Sequence, residues 1–303
     1  FNELLRAQIS ILRGEPFQIY PDFQQGGLMD VSDWQDGLGK VVVRARLEID
    51  GRNINIREIP PLTTTAKLMD SIEAAVNKNK IKIASFHDYT AGTVNIQLSP
   101  LRGYDPHKAL NALYAYTDCQ MNVFSRAVVI MDNRPVRMST SDILRRNTSK
   151  LLEYLKWELE LQAGACLSKM LARTLERIFI EEGIYKRIEK CKSRETMVKE
   201  VRTGLAKFKD EWLPLIRALY ENMTEGPHVM PMTDAEKARM EQLAQGAIPD
   251  GEIDRLVEIP IRRIAAFELD KCREEVELLG KELDKVRKNL KRIKAYAIKY
   301  LEG

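Results

Sequence analysis

Between residues 269 and 300 the apolar residues Leu269, Cys272, Val276, Leu279, Leu283, Val286, Leu290, Ile293, Ala297 and Tyr300 recur at alternating three- and four-residue steps. A seam held that strictly for over four heptads predicts a coiled-coil helix. Such a helix cannot bury its stripe alone, so the chain must supply a partner of similar length. Ser139 followed by Asp142 resembles a capping box and opens a helical stretch of about 40 residues, ending near the Glu-Glu-Gly at 181–183. In it Leu152, Leu155, Leu159, Ala163, Cys166 and Met170 keep the same spacing. At 1.5 Å per residue both helices come to roughly 55–60 Å. Similar lengths around a compact insert predict an antiparallel pair with a small helical domain at its tip. The insert, about 184–264, holds the helical run EWLPLIRALYENM and Pro/Gly punctuation at 226–231 and 246–251. Pro260, inside RLVEIPIRRI, should kink or interrupt its helix at the junction of tip and arm. Two separate helices within one globule would not need so regular a seam for so long.

Before residue 140 the pattern is different. Residues 2–13 have helical spacing and stop at Gly14. Residues 40–50, KVVVRARLEID, alternate as a half-buried strand, and Asp50-Gly51 signals a two-residue hairpin. Closing on that dipeptide pairs Ile49 with Arg52, Leu47 with Ile54 and Ala45 with Ile56. One face is then apolar, and the other carries Arg44, Arg46 and Arg57 beside Asn53 and Asn55. Pro60 and Pro61 end the return strand, and the threonines that follow offer an N-cap for a helix with Leu68, Met69, Ile72 and Val76 inward. TVNIQLS at 93–99 reads as a strand and DPHKALNALYAYT as a helix with Pro106 in its first turn. Residues 127–138 read as a hairpin turning at Asp132-Asn133. Strands and helices on one predominantly antiparallel sheet give an α+β layer domain.

Composition narrows the classes. With 44% hydrophobic and 30% charged residues in 303, the chain suits one large or two ordinary soluble domains, and a net charge of +4 does not by itself demand a polyanionic partner. Four widely spaced cysteines and three scattered histidines predict reduced thiols and no metal site. No apolar run approaches the ~18 residues of a membrane span, and no signal peptide opens the chain, so the expected location is cytoplasmic. The first residue is Phe1 and not Met, which points to a piece of a longer chain.

The motifs now in hand carry a resemblance. YPDFQQGG, GKVVVRARLEI, IREIPPLTTTAKLMDSI, NALYAYTDCQ and VVIMDNRPVRMSTSDILRR follow in order, and LVEIPIRRIAAFELDK follows later. Together they resemble the A subunit of bacterial type IIA DNA topoisomerases, closer to topoisomerase IV than to gyrase, over essentially the whole chain. The resemblance implies a tower-like α+β domain at 1–140, a first coiled-coil helix at 141–183, a helical exit-gate dimerisation domain at 184–264 and a returning helix at 265–303. It implies an ATP-dependent isomerase that cuts one duplex through a tyrosine ester, passes a second and reseals. It also implies a homodimer through the exit gate, an A2B2 heterotetramer with the B subunit, which supplies ATP and magnesium chemistry, and nucleoid association. The nucleophilic tyrosine of the family follows an arginine. None of the ten tyrosines here does, so no catalytic residue, metal ligand or cofactor is assigned to this stretch, which should not cleave DNA by itself.

Three groups are candidate site residues. Arg44, Arg46 and Arg57 on one sheet face could grip phosphates without sequence choice, against the alternative of a solvated face with Glu48 and Glu58 nearby. From Lys285 to Leu301 the chain carries Lys285, Arg287, Lys288, Lys291, Arg292, Lys294 and Lys299 and no acid. Of these, Lys288, Lys291 and Arg292 are read as DNA-binding, a positive wall facing the transported duplex. The macrodipole would explain cations in the last turn only. Met230, Met232, Met240, Leu243, Leu256 and Ile259 could form an adaptable dimer-gate face, or equally the core of their own domain. The competing function is a coiled-coil dimerisation scaffold that binds no DNA. The absence of a nucleophile–base pair argues against a self-contained enzyme.

Overall fold

A computed structural model describes residues 1–224, 245, 246, 248, 250–260 and 269–303. The chain divides into two compact units, Phe1–Thr148 and Ser149–Gly303.

The first unit is mixed α+β. It begins with helix α1 (Asn2–Arg13), which stops where Gly14 takes a left-handed φ of 75°. Nine strands follow: β1 (Leu28–Asp30), β2 (Lys40–Arg44), β3 (Arg46–Asp50), β4 (Asn53–Glu58), β5 (Ile83–Asp88), β6 (Ile96–Pro100), β7 (Gln120–Phe124), β8 (Val128–Met131) and β9 (Arg134–Arg137). All pairings are antiparallel, but they form three sheets, ordered β1-β2-β7, β3-β4-β6-β5 and β8-β9, and not the single sheet predicted. The run 40–50 is not one strand either. It leaves the first sheet and enters the second at Ala45, which is fully buried and donates its N–H to the Cys119 carbonyl (2.8 Å). Period-two alternation runs unbroken through this point, so the change of partners leaves no mark on the pattern.

The β3–β4 hairpin closes one step later than its Asp-Gly signal implies. Asp50 pairs with Asn53, Ile49 with Ile54 and Leu47 with Ile56, leaving Gly51-Arg52 as the loop. Gly51 takes φ 61° at the first central position, which suits a type II′ turn; a loop on Asp50-Gly51 would need left-handed Asp50 instead. The slip relative to the predicted pairing is two residues along the return strand. With a side-chain period of two, the residues from Leu47 to Asp50 stay on their predicted faces. The register shifts between Leu47 and Arg46, however, so that Arg46 pairs with Glu58 and Arg57 falls in a bulge. Asn55 departs from expectation in another way. It lies on the polar face, yet on a central strand between β3 and β6 it is only 6% exposed, and its carboxamide oxygen has no partner among the described residues.

Helix α2 (Thr65–Asn77) is capped by the Thr64 hydroxyl, and helix α3 (Pro106–Tyr116) by the Asp105 carboxylate with Pro106 in its first turn. Leu68 and Ile72 of α2 and Ala109 and Leu113 of α3 pack on Ala45, Ile54, Ile56, Ile96 and Leu98, all of them fully buried. This is the core of the four-stranded sheet. The β8–β9 hairpin turns at Asp132 (φ 47°) and Asn133 (φ 60°), the two positive φ values that a type I′ turn needs.

Helix α4 (Thr140–Glu181) is 42 residues long and ends just before a left-handed Gly183. Only half of the predicted capping box forms at its start. The Ser139 hydroxyl accepts from the Asp142 N–H (3.2 Å), while the Asp142 carboxylate turns to Arg145 (3.1 Å). Asp36 completes the cap from far away in sequence. Its carboxylate accepts from the N–H and the hydroxyl of Ser141.

In the second unit α4 is followed by α5 (Ile184–Ile188), α6 (Arg194–Ala206), α7 (Lys209–Thr224), α8 (Asp250–Val257), α9 (Leu269–Lys291) and α10 (Ile293–Glu302). Contacts between α4 and α9 fix their direction: Glu181 pairs with Arg273, Arg173 with Glu275, and Leu159, Ala163, Cys166 and Leu167 share a core with Leu283 and Val286. Rising numbers on α4 meet falling numbers on α9, so they run antiparallel. The predicted returning helix is interrupted at Arg292 (φ −126°, ψ 44°), and its last seam residue, Tyr300, is 58% exposed. Helix α7 lies along α4 as well: Arg177 pairs with Glu211, and Asn222 donates to the Glu160 carbonyl (3.1 Å) beside Gly164. A second core joins Leu171, Leu175, Ile178 and Phe179 of α4 to Ile184, Val201, Leu205, Trp212, Ile216, Ile253 and Leu256. Helix α8 stops at Val257, ahead of Pro260, in keeping with the predicted interruption.

Candidate nucleic-acid interface

The three arginines do not share one sheet face as predicted, because the chain changes sheets at Ala45: Arg44 belongs to the three-stranded sheet, and Arg46 and Arg57 to the four-stranded one. Arg44 sits on β2 opposite Gln120 of β7, donates to its side-chain oxygen (2.7 Å), and lies over the Tyr114 ring at 5.2 Å. Tyr114 in turn donates to the Ala45 carbonyl (2.8 Å), which fixes the ring under the guanidinium. Arg46 pairs with Glu58 (3.3 Å), and Arg57 with Glu48 (3.1 Å) and the Asn95 side-chain oxygen (2.9 Å). The Glu58 carboxylate also accepts the Gly27 N–H, and chiefly for that reason its carboxyl is held below the usual value of 4.5. Arg46 and Arg57 are exposed, so these pairs are weak and exchangeable with phosphate oxygens.

In the second unit Lys285, Arg287, Lys288, Lys291, Arg292, Lys294 and Lys299 carry no ion pair among the described residues, and Lys288, Lys291 and Arg292 are exposed. Leu283, Val286 and Ala297 take the buried positions of the same helices. The cations therefore stand clear of the packed seam, with Arg292 at the break between α9 and α10.

Of the predicted dimer-gate residues, Met230, Met232, Met240 and Leu243 lie outside the described residues. Leu256 is 3% exposed inside the core of its own unit and is not a free contact face. Ile259 packs partly against the same core.

A further set of cations, which strand and helix patterning does not single out, stands at one end of the four-stranded sheet: Arg52, Lys80, Lys82 and Arg102. Its one signal in the sequence is the short run Asn-Lys-Asn-Lys-Ile-Lys at 77–82, where a helix ends. Among the described residues no group of three or more His, Cys, Asp or Glu side chains could hold a metal ion, and no helix is long and apolar enough to cross a membrane.

The chain thus has an α+β unit followed by long antiparallel helices, and exposed cations stand on both. The family profile for the A subunit of DNA gyrase/topoisomerase IV matches residues 1–302, and the chain belongs to that family. It is 35% identical, over its whole length, to the A subunit of DNA topoisomerase 4 from Borreliella burgdorferi, of which it covers 43%. It is 24% identical over 88% of its length to the A subunit of DNA topoisomerase 4 from Bacillus subtilis, covering 30% of that protein. It is 25% identical over 88% of its length to a probable chloroplastic/mitochondrial DNA gyrase A subunit of Oryza sativa subsp. japonica, covering 26%. The chain thus spans less than half the length of these relatives.

Proposed function

We propose that this chain is the part of a type IIA topoisomerase A subunit that flanks the cut duplex and frames the exit path of the transported one. In this reading residues 1–140 form a tower-like domain, 141–183 and 265–303 a long antiparallel coiled coil, and 184–264 the helical exit-gate domain. The family match across residues 1–302 carries the reading, and the antiparallel packing of α4 and α9 supports it. Arg44, Arg46 and Arg57 hold phosphates of the first duplex, and Lys288, Lys291 and Arg292 face the second. Met230, Met232, Met240, Leu243 and Ile259 serve the gate between two copies. The B subunit completes an A2B2 assembly and brings ATP and magnesium, and the assembly works in the cytoplasm on nucleoid DNA.

The test is duplex binding by the chain across a salt series. Sequence-independent binding with a steep salt slope is expected. A chain that dimerises in light scattering but shows no binding to duplex even at low salt would be a scaffold instead. No tyrosine follows an arginine, so incubation with the B subunit, ATP and magnesium should leave no covalent DNA adduct on this chain.

A further inference from the structure

The register of the four-stranded sheet gathers cations from separate loops at one of its ends. Asp50 of β3 pairs with Asn53 of β4 across the turn that bears Arg52. Ser99, near the end of β6, donates to the Asn53 side-chain oxygen (2.9 Å), and Ile83 at the start of β5 pairs with Pro100. The turn bearing Arg52, the segment leading into β5 and the loop leaving β6 therefore share one end. The Leu101 N–H donates to the Lys82 carbonyl (3.1 Å), locking the last two together next to Arg102. Arg52, Lys78, Lys80, Lys82 and Arg102 are all exposed, and none is ion-paired among the described residues. Arg46 and Arg57, by contrast, both have glutamate partners. The same turns bring two acids, Asp50 and Asp105, and Asp105 is committed to capping α3.

Two tyrosines organise the cluster. Lys82 lies over the Tyr104 ring at 5.3 Å and Lys80 over the Tyr116 ring at 5.7 Å. Buried Ile81 and Ile83 pin the intervening backbone, so the lysines are held on the outside of a fixed loop. The composition favours a nucleic-acid backbone over a protein partner. Lysine is depleted in protein–protein interface cores, where rings fill pockets, whereas here the rings are covered by lysines. Lysine and arginine that reach phosphates while releasing counterions are the basis of sequence-independent duplex binding.

We propose that Arg52, Lys80, Lys82 and Arg102 form a second phosphate-gripping surface on the first unit, at the end of the sheet and apart from Arg44, Arg46 and Arg57, which extends its hold along duplex DNA. The inference rests on the DNA-handling role given above. It is tested by measuring duplex affinity against salt for the chain carrying K80Q, K82Q and R102Q together. Loss of three phosphate contacts lowers the log–log slope by about 2.7, so the affinity drop between 50 and 200 mM salt shrinks by about 40-fold relative to the unmodified chain. The charge-preserving K80R/K82R/R102K chain should keep the original slope. An unchanged slope in the Gln chain, with a reduced one in R44Q/R46Q/R57Q, would overturn this surface and leave the DNA role standing. No salt-dependent duplex binding by the unmodified chain would remove both. Loss of binding to poly-glutamate with DNA binding intact would assign the patch to an acidic protein and refute the proposal.

Discussion

The Asp36 carboxylate accepts from the Ser141 backbone N–H (3.1 Å) and from its hydroxyl (2.9 Å), so a side chain 105 residues earlier caps the 42-residue helix α4. Gln35, Asp36 and Gly37 all take positive φ to bring it there. Left-handed backbone at a residue other than glycine is unfavourable and persists only where its surroundings hold it. Gly37 has a further reason to be glycine, because a Cβ there would run into the Thr140 hydroxyl. D36A should therefore destabilise the chain by about 1 kcal/mol, the usual size of a lost N-cap, and D36N by less. Urea denaturation checks this, and equal stability of D36A and wild type would show that solvent satisfies the helix end as well.

Glu58 gives the first unit an acid-sensitive tie. Its carboxyl is held low mainly by the Gly27 N–H, with Arg46 adding to it. A group whose folded value is depressed contributes stability above its unfolded value, near 4.5, and loses that contribution as pH falls through the folded value. The stability gap between wild type and E58Q should be constant at neutral pH and begin to close as pH falls below 4.5. A gap that widens on acidification would contradict this assignment.

Arg173 bridges two helices through Glu176 (3.0 Å) and Glu275 (2.9 Å), and the Glu176 side chain is only 4% exposed. Removing the arginine takes one counter-charge from a buried carboxylate and the cross-helix partner from Glu275, which should destabilise the packing of α4 on α9. R173A should unfold the second unit early, whereas R173M/E176L should recover part of the loss, because the buried carboxylate leaves with the arginine and the remaining Glu275 is half exposed. Calorimetry of the two variants decides it, and a double variant no better than R173A would mean that packing and not charge carries the effect.

The cysteines should differ in reactivity as their burial dictates. Cys119 is fully buried and its thiol is pushed up to about 11, and burial also raises Cys166 and Cys272. Only Cys191 is partly accessible. A chromogenic disulfide at pH 8 should find one fast thiol in the native chain, and C191S should abolish it. A fast phase surviving in C191S would show that the α4–α9 packing around Cys166 or Cys272 opens readily.

These features divide by the range of the interactions that make them. The Thr64 cap, the turn at Asp132-Asn133, the stop at Gly14 and the buried stripe through Leu159, Ala163, Leu283 and Val286 were legible because neighbouring residues decide them. The passage of the strand between sheets at Ala45 and the capping of α4 by Asp36 were not, since the partners, Cys119 and Ser141, are distant in sequence. Burial of Asn55 depends likewise on which strands flank β4. The break at Arg292 has neither proline nor glycine to announce it, and the heptad pattern runs straight through it. The candidate arginines were legible as exposed cations but not as one face, because the change of sheets at Ala45 and the bulge beside Arg46 depend on distant partners, as do their glutamate and glutamine contacts.

That break shapes the last prediction. Lys288 and Lys291 lie on α9, exposed and clear of Leu283, Val286 and Leu290, whereas Arg292 holds the non-helical junction itself. Replacing Lys288 and Lys291 with Gln should change stability by no more than about 0.5 kcal/mol per site. If these cations face the transported duplex, the double variant in the intact protein should slow strand passage and leave cleavage of the first duplex nearly unchanged. The defect should shrink at low salt, where the remaining cations act over a longer Debye length. R292Q belongs in a separate chain, because it can alter the junction as well as the charge. A double variant that passes strands at the normal rate in physiological salt would reduce this run to a solvated helix face. One that loses first-duplex cleavage in parallel would place the run on the wrong duplex.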